Sequence, residues 1–288
     1  MANPNHSVPE VKLDALLPGE MAAKAETVGV KKATGDALQL FALAILAGAF
    51  ISLGGIYCTT VLAGSGSLPY GVQRLMAGTV FSLGLILVIV GGAELFTGNN
   101  LIIMAWANKK VTTAQLLRNW GIVYAGNFVG SLATAIIMFY SKQYTFGGGA
   151  MGLTALNIGN AKSGLDFLPA VALGIMCNAL VCMAVWLCFS ARSTTDKILS
   201  IIFPISAFVA AGFEHSIANM YFIPIALFIK SGADQSFWTA IGKTAADFQN
   251  LTWGNFFIKN LLPVTIGNII GGAVMVGVVY WFIYLRKK

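Results

Sequence analysis

Charge is scarce in this chain. Only 10% of its 288 residues are Asp, Glu, Lys or Arg, whereas a soluble domain carries about 25%. A surface that meets water on every side is therefore excluded. Histidine is scarcer still, with two in the whole chain. The four cysteines, Cys58, Cys177, Cys182 and Cys188, lie in apolar runs with no metal-ligand spacing and no accompanying histidine, which leaves them as small packing residues. The first 36 residues are polar and hold five acids, so no cleavable signal peptide is expected there. The net charge is +7, but Lys and Arg sit mostly at the ends of apolar runs. That distribution marks membrane topology and excludes nucleic-acid binding.

What the chain has instead is apolar length. Hydrophobic residues make up 57% of it, glycine occurs 32 times and the mean hydropathy is +0.77. Six apolar runs follow the polar start, at roughly 37–62, 70–107, 114–140, 166–190, 197–230 and 255–285. Runs of about 20 residues cross a hydrocarbon core ~30 Å thick, so the fold expected is an all-α integral membrane protein. Two domains of the chain are expected: a tail at 1–36 and a single transmembrane domain at 37–288. Within the tail, Leu13, Leu16, Leu17, Met21, Ala25 and Val28 recur at helical spacing and predict an amphipathic helix. It could lie on the bilayer or pack against a neighbouring subunit. With the amino terminus inside, cytoplasmic segments hold twelve Lys and Arg residues and outer segments six, so both termini are expected in the cytoplasm.

The second and fifth runs are too long for one straight helix, and polar residues interrupt both: GGAELFTGNN at 91–100 and GFEHSIANM at 212–220. These breaks share a register. Gly92-x-Glu94 and Asn99 match Gly212-x-Glu214 and Asn219 at an offset of 120. In the helices that follow, Arg118-Asn119, Gly126-Asn127 and Gly130 match Lys259-Asn260, Gly267-Asn268 and Gly271 at an offset of 141. The pattern predicts a duplicated unit of three helices, at about 37–140 and 166–285, with a longer connection in the second copy. An odd number of spans inverts one copy against the other, and inverted repeats with broken helices are a transport architecture.

Non-helical backbone at membrane depth must be satisfied by protein or line a cavity. Glu94 and Glu214 suit that task as acceptors for backbone N–H groups, and Thr97, Asn99, Ser216 and Asn219 can also cap the half-helices. His215 is the one histidine in the membrane region and is a functional candidate by default, able to change charge near neutral pH. Helix starts at each break favour an anion. No Lys or Arg lies within either break, which points to a small monovalent anion over a tightly held polyanion. Phe81, Leu85, Leu95, Phe96, Val181 and Phe208 can either pack or ring a pore, and spacing does not separate the two. The glycine pairs Gly126/Gly130 and Gly267/Gly271 suit close helix packing.

These residues resemble a known family. ELFTGNN at 94–100, GFEHSIANM at 212–220 and the paired Gly-Asn motifs are similar to the bacterial formate–nitrite transporters, over essentially the whole chain. The resemblance implies an aquaporin-like six-helix bundle of inverted three-helix repeats with two discontinuous helices. It implies a homopentamer in the bacterial inner membrane with one pore per protomer, carrying formate or a related small anion, nitrite and hydrosulfide included. It assigns His215 and Thr97 to the pore centre. It puts Phe81, Leu85 and Phe208 in a cytoplasmic constriction, and Leu95, Phe96, Asn178 and Val181 in a periplasmic one. Lys162 would stand near the outer entrance, with Asn219 and Asn268 near the His215 loop. On this scheme His215 supplies a proton and the neutral acid crosses.

Other classes fit less well. A water or glycerol channel would carry paired Asn-Pro-Ala motifs, and the one Asn-Pro here is Asn3-Pro4 in the tail. An ammonium channel typically uses a pair of pore histidines. A membrane enzyme would need a metal site or catalytic set, which one histidine and two structural carboxylates do not make. No cofactor is expected. A scaffold would not require ionisable groups at mid-membrane.

Overall fold

A computed structural model describes residues 15–286 of the chain, so Leu13 and the terminal lysines Lys12, Lys287 and Lys288 lie outside the described residues. The described chain is helical, with no strands. Helix α1 (Pro18–Ala33) precedes α2 (Ala37–Leu62) and α3 (Tyr70–Gly91). The chain then breaks and resumes in short pieces, α4 (Phe96–Asn99), a 3-10 turn (Asn100–Ile102) and α5 (Ile103–Ala107), before α6 (Thr113–Tyr140). The second half repeats the order: α7 (Ala150–Ser163), α8 (Phe167–Ser190), α9 (Thr194–Ala210), a break, α10 (Ser216–Gly232), a short α11 (Gln235–Ile241) and a last helix α12 (Trp253–Tyr284). Helices α2, α3, α6, α8 and α12 are each long and apolar enough to cross a membrane, and α9 and α10 share the remaining apolar segment. Large apolar side chains such as Ile137, Leu168 and Phe203 stay exposed around the outside, which suits a protein solvated by lipid or by further subunits.

The repeat reaches further than the three apolar spans. Helix α1 buries Met21, Ala22 and Ala25 against Leu101, Met104 and Trp186, so it packs inside its own chain. Lys24 Nζ donates to Phe189 O at 2.8 Å, and Asn108 donates to Glu26, tying α1 down at both edges. Its counterpart is α7, in a glycine-rich stretch between the third and fourth spans where the sequence reading assigns no element. Lys32 near the end of α1 and Lys162 near the end of α7 stand four residues before the N-caps of α2 and α8, Asp36 and Asp166, at an offset of 130. Each repeat is thus a shorter helix followed by three spans. The 37–140 and 166–285 boundaries omit that first helix.

Glycine sets how closely the repeats close on themselves. Gly126 and Gly130 of α6 leave no room for a Cβ against the Phe41 and Ile45 carbonyls of α2. Gly267 and Gly271 of α12 meet the Val171 and Ile175 carbonyls of α8 in the same way. The two pairs of contacts are equivalent in the two halves, which is the close packing that small residues permit in membranes. Helix α12 departs from its partner by running through two π-helical stretches, Phe256–Leu261 and Ile270–Val278. Wide turns of this type gather at functional sites, and the first one holds Asn260.

Gly130→Ala should therefore destabilise the protein by ~1–3 kcal/mol, the usual cost of overpacking. Gly121→Ala, on the same helix with open space around it, should be neutral or mildly stabilising. Thermal unfolding of the detergent-solubilised protein distinguishes them, and equal effects at the two positions would contradict this packing.

Candidate functional site

Each break begins with a glycine in the left-handed region, Gly92 at φ 81° and Gly212 at φ 78°, a conformation that glycine adopts without a Cβ clash. Three non-helical residues follow, the last of them (Leu95 or His215) extended, and the chain restarts as a helix. An asparagine from the last span of the same half staples that non-helical backbone. Asn127 Oδ1 accepts from Phe96 N at 2.9 Å while its Nδ2 donates to Ala44 O and Glu94 O at 2.8 and 2.9 Å. In the second half Asn268 Oδ1 accepts from Ser216 N at 2.9 Å, and Nδ2 donates to Gly174 O and Glu214 O, both at 2.9 Å. Glu94 N and Glu214 N donate to Leu43 O and Leu173 O. The two breaks match bond for bond.

The glutamates hold the breaks, but not through backbone N–H groups as the sequence suggests. Glu94 accepts from Lys32 Nζ at 2.9 Å and from Asn99 Nδ2 at 2.7 Å. Asn99 continues to Asn119 at 3.0 Å, and Asn119 Nδ2 returns to Lys32 O at 2.9 Å. Glu214 accepts from Lys162 Nζ and Asn219 Nδ2, each at 2.7 Å, Asn219 continues to Asn260 at 2.7 Å, and Asn260 returns to Lys162 O at 3.0 Å. A lysine thus reaches each break from outside it, so Lys162 is a partner of Glu214 as well as a vestibule residue. The circuits differ at two bonds: Asn260 Nδ2 also donates to Glu214 Oε2 at 3.2 Å, a bond without a counterpart between Asn119 and Glu94 among the described residues. Lys32 Nζ also donates to Asn99 Oδ1 at 2.8 Å, whereas Asn219 Oδ1 is buried without a partner and Lys162 Nζ lies 5.7 Å from the centre of the Phe222 ring.

The symmetry ends at two positions. Leu95 and His215 are the equivalent N-caps, and only His215 caps with its side chain: Nδ1 accepts from Ala218 N at 3.1 Å. Thr97, equivalent to Ile217, lies 3.0 Å from His215 Nε2 through its hydroxyl. Since Nδ1 spends its lone pair on Ala218 N–H, the neutral ring carries its hydrogen on Nε2 and donates it to Thr97 Oγ1. Thr97, Asn99, Ser216 and Asn219 do not serve as caps, and His215 is engaged at both nitrogens.

Two cavities approach this pair from opposite sides. One, of about 270 Å³, is lined by α1 together with Lys32, Leu85, Glu94, Leu95 and Asn99. The other, of about 310 Å³, is lined by Tyr70, Arg74, Lys162, Phe81, Phe208 and His215 among others. Between them lies a space of about 10 Å³ bounded by Ile51, Phe81, Leu85, Leu95, Val181, Ile205, Phe208 and His215, of which His215 alone is polar. The constrictions therefore divide differently from the expectation. Phe81 and Phe208, with ring centres 5.8 Å apart, close the Lys162 side, while Leu85 and Leu95 close the α1 side. Successive turns of α3 carry Phe81 and Leu85, so one helix supplies a residue to each constriction.

Val181, expected in the periplasmic constriction, lines the central space. Phe96 does not ring it: its side chain packs on Trp120 and Tyr124, with ring centres 6.0 and 4.9 Å away. Asn178 is spent on the frame, its Nδ2 reaching Asn268 O at 2.7 Å, Asn100 Oδ1 at 3.1 Å and Thr97 O at 3.3 Å. Lys32, Asn127, Ile51, Ile205 and Arg74 are site residues without an assigned role in the sequence reading. The Lys-x-x-x-Asp pattern shared by 32–36 and 162–166 was a signal that could have found Lys32.

A multi-pass helical bundle with inverted repeats, two vestibules and a nearly closed apolar waist defines a membrane channel or transporter. Residues 19–282 match the family described as formate/nitrite transporter. A curated relative, formate channel FocA of Escherichia coli, is 48% identical over 275 residues that cover 96% of each chain. FocA of Haemophilus influenzae is 41% identical over 278 residues, covering 96% of this chain and 97% of that one. A solved structure described as a pentameric formate channel with formate bound superposes with a TM-score of 0.81 at 47% identity, covering 87% of this chain and 98% of that chain. The chain belongs to the formate/nitrite transporter family.

Both ion pairs are largely shielded, the Glu214 side chain at 6% exposure and Glu94 at 12%. Glu214→Ala should cost ~3–5 kcal/mol by stranding Lys162 and two asparagines, and Glu94→Ala somewhat less. Adding Lys162→Met to Glu214→Ala should recover part of the loss. Double-mutant cycles by thermal unfolding measure the coupling, and strict additivity would contradict a buried pair.

Proposed function

We propose that the chain is a channel for formate and related small monocarboxylates, one passage to each protomer of a homopentamer in the cytoplasmic membrane, with both termini inside. The curated relatives named as formate channels support the substrate, the pentameric structure supports the assembly and the excess of basic residues on the inner segments supports the orientation.

One observation carries the reading: the waist between the vestibules is apolar except for His215. An anion entering it loses hydration that Leu85, Leu95, Phe81 and Phe208 cannot replace, a cost of several kcal/mol. Desolvation drives a carboxylate to take up a proton, and a weak acid obliges: formate and a hydronium from the vestibule give formic acid and water. The His215–Thr97 pair complements that neutral form. Nε2–H donates to the acid's carbonyl oxygen, and Thr97 Oγ1 accepts from its O–H. His215 so couples passage to protonation by holding the protonated substrate. It is not the net proton source, since protonating Nδ1 would first break the bond from Ala218 N–H.

Formate flux into proteoliposomes should rise as pH falls from about 8 to 5, in step with the neutral fraction of the substrate. His215→Ala should cut the flux at least ~10-fold, about the worth of one lost polar contact to substrate. His215→Asn, which keeps a donor, should retain more of the flux and the same pH trend. Parental flux in His215→Ala would refute the assignment.

A further inference from the structure

The seam between α3 and α9 carries both aromatic rings of the Lys162-side constriction, Phe81 on α3 and Phe208 on α9. Along it, Ser82 Oγ donates to Ile202 O at 3.4 Å, and one turn further Gly78 sits directly against the Ser206 carbonyl. The next turn brings Arg74 to the end of α9. Its Nε donates to Ala210 O at 3.0 Å and its Nη2 donates to Val209 O. Those carbonyls belong to the two residues after Phe208, in the last turn of α9; Val209 O also accepts from Gly212 N at 3.1 Å, so the guanidinium adds a second donor there. Gly212 turns the chain away there at φ 78°, a backbone conformation that favours glycine.

The equivalent end of the α3–α9 seam, where the last turn of α3 stands for that of α9, has neither feature. Val88 stands where Phe208 does, and among the described residues no side chain donates to the Ile89 or Val90 carbonyls. The clamp and the aromatic pair each join α3 to α9, and they occur together at one end of that seam only. A guanidinium holds two adjacent carbonyls with one rigid fork, which a lysine cannot do.

We infer that Arg74 is a positioning residue that fixes the last turn of α9, and with it the Phe208 ring, so setting the size of carboxylate that passes Phe81 and Phe208. The inference rests on the reading of the passage as a carboxylate channel.

The test is parallel flux of formate and lactate in proteoliposomes holding the parent protein, Arg74→Lys, Arg74→Gln, Arg74→Ala, Phe208→Ala or the Arg74→Ala/Phe208→Ala pair. The lactate-to-formate ratio should rise about tenfold in Arg74→Gln and Arg74→Ala, the low end of discrimination by an apolar pocket, and by less in Arg74→Lys. Simple loss of folded protein would lower both fluxes and leave the ratio where it was. Phe208→Ala should raise the ratio, and adding Arg74→Ala should raise it no further. An unchanged ratio in a folded Arg74→Gln, or full additivity in the pair, would overturn the inference; if Arg74→Ala and Arg74→Gln fail to fold, the ratio in Arg74→Lys decides. Absence of formate flux through the parent would sink the channel reading and this inference together. Parental formate flux with an unmoved ratio sinks this one alone.

Discussion

Everything at the centre of this protein depends on two asparagines. A helix broken inside a membrane frees N–H and C=O groups that have no water to turn to, at a cost of roughly 1–3 kcal/mol for each one left unpaired. Asn127 and Asn268 answer both needs with one side chain: the carbonyl oxygen takes the first N–H of the restarting helix, and the amide nitrogen spans the non-helical stretch and the neighbouring span. Each amide is used at three bonds and is fully buried. The glutamate circuits come next in order of dependence. They anchor the break from the vestibule side and bring a lysine to each mouth, so cations stand beside the passage although neither break contains one.

Because the frame is duplicated, function is concentrated where the copies disagree. Leu95 faces the waist from one half and His215 from the other, at equivalent positions of equivalent breaks. A symmetric pair of leucines would make the waist wholly apolar. A symmetric pair of histidines would make it polar enough to hold water and the bare anion. One histidine, fixed in its Nε2–H form by the helix it caps and paired to Thr97 across the repeat axis, puts one polar pair at an otherwise apolar waist.

The breaks and the doubling were legible in the sequence because polar residues in an apolar run have few explanations and their spacing repeats. His215 stood out for the same reason, and so did the Gly-Asn pairs; Thr97 stood out only as a cap, and its place beside His215 came with the family resemblance. Which apolar residue faced the passage was not legible. Phe96 and Leu95 are neighbours in the chain, yet one turns to Trp120 and the other to the waist, a matter of helix restart geometry. The resemblance grouped Phe81 with Leu85, but residues four apart on one helix share a face and sit a turn apart along it, here on opposite sides of the narrowest point. Helices α1 and α7 were hard to read together because their match is carried by Lys32 and Lys162, charged residues outside the apolar runs where a membrane repeat is sought.

The narrowness of the waist constrains any account of passage. A space of about 10 Å³ holds about one water and no carboxylate, so substrate must part Phe81 from Phe208 or Leu85 from Leu95 as it moves. The two barriers sit on different supports. Leu95 is carried by the break itself, which Asn127 and the Glu94 circuit hold, whereas Phe208 precedes its break at the end of α9. Side-chain rotation of leucine opens the first without disturbing the frame. The second is an aromatic pair already in contact with Phe222 and stacked near His215, with less freedom to turn. The Lys162-side constriction is thus the stiffer one, and an apolar constriction resists an uncharged solute less than an ion.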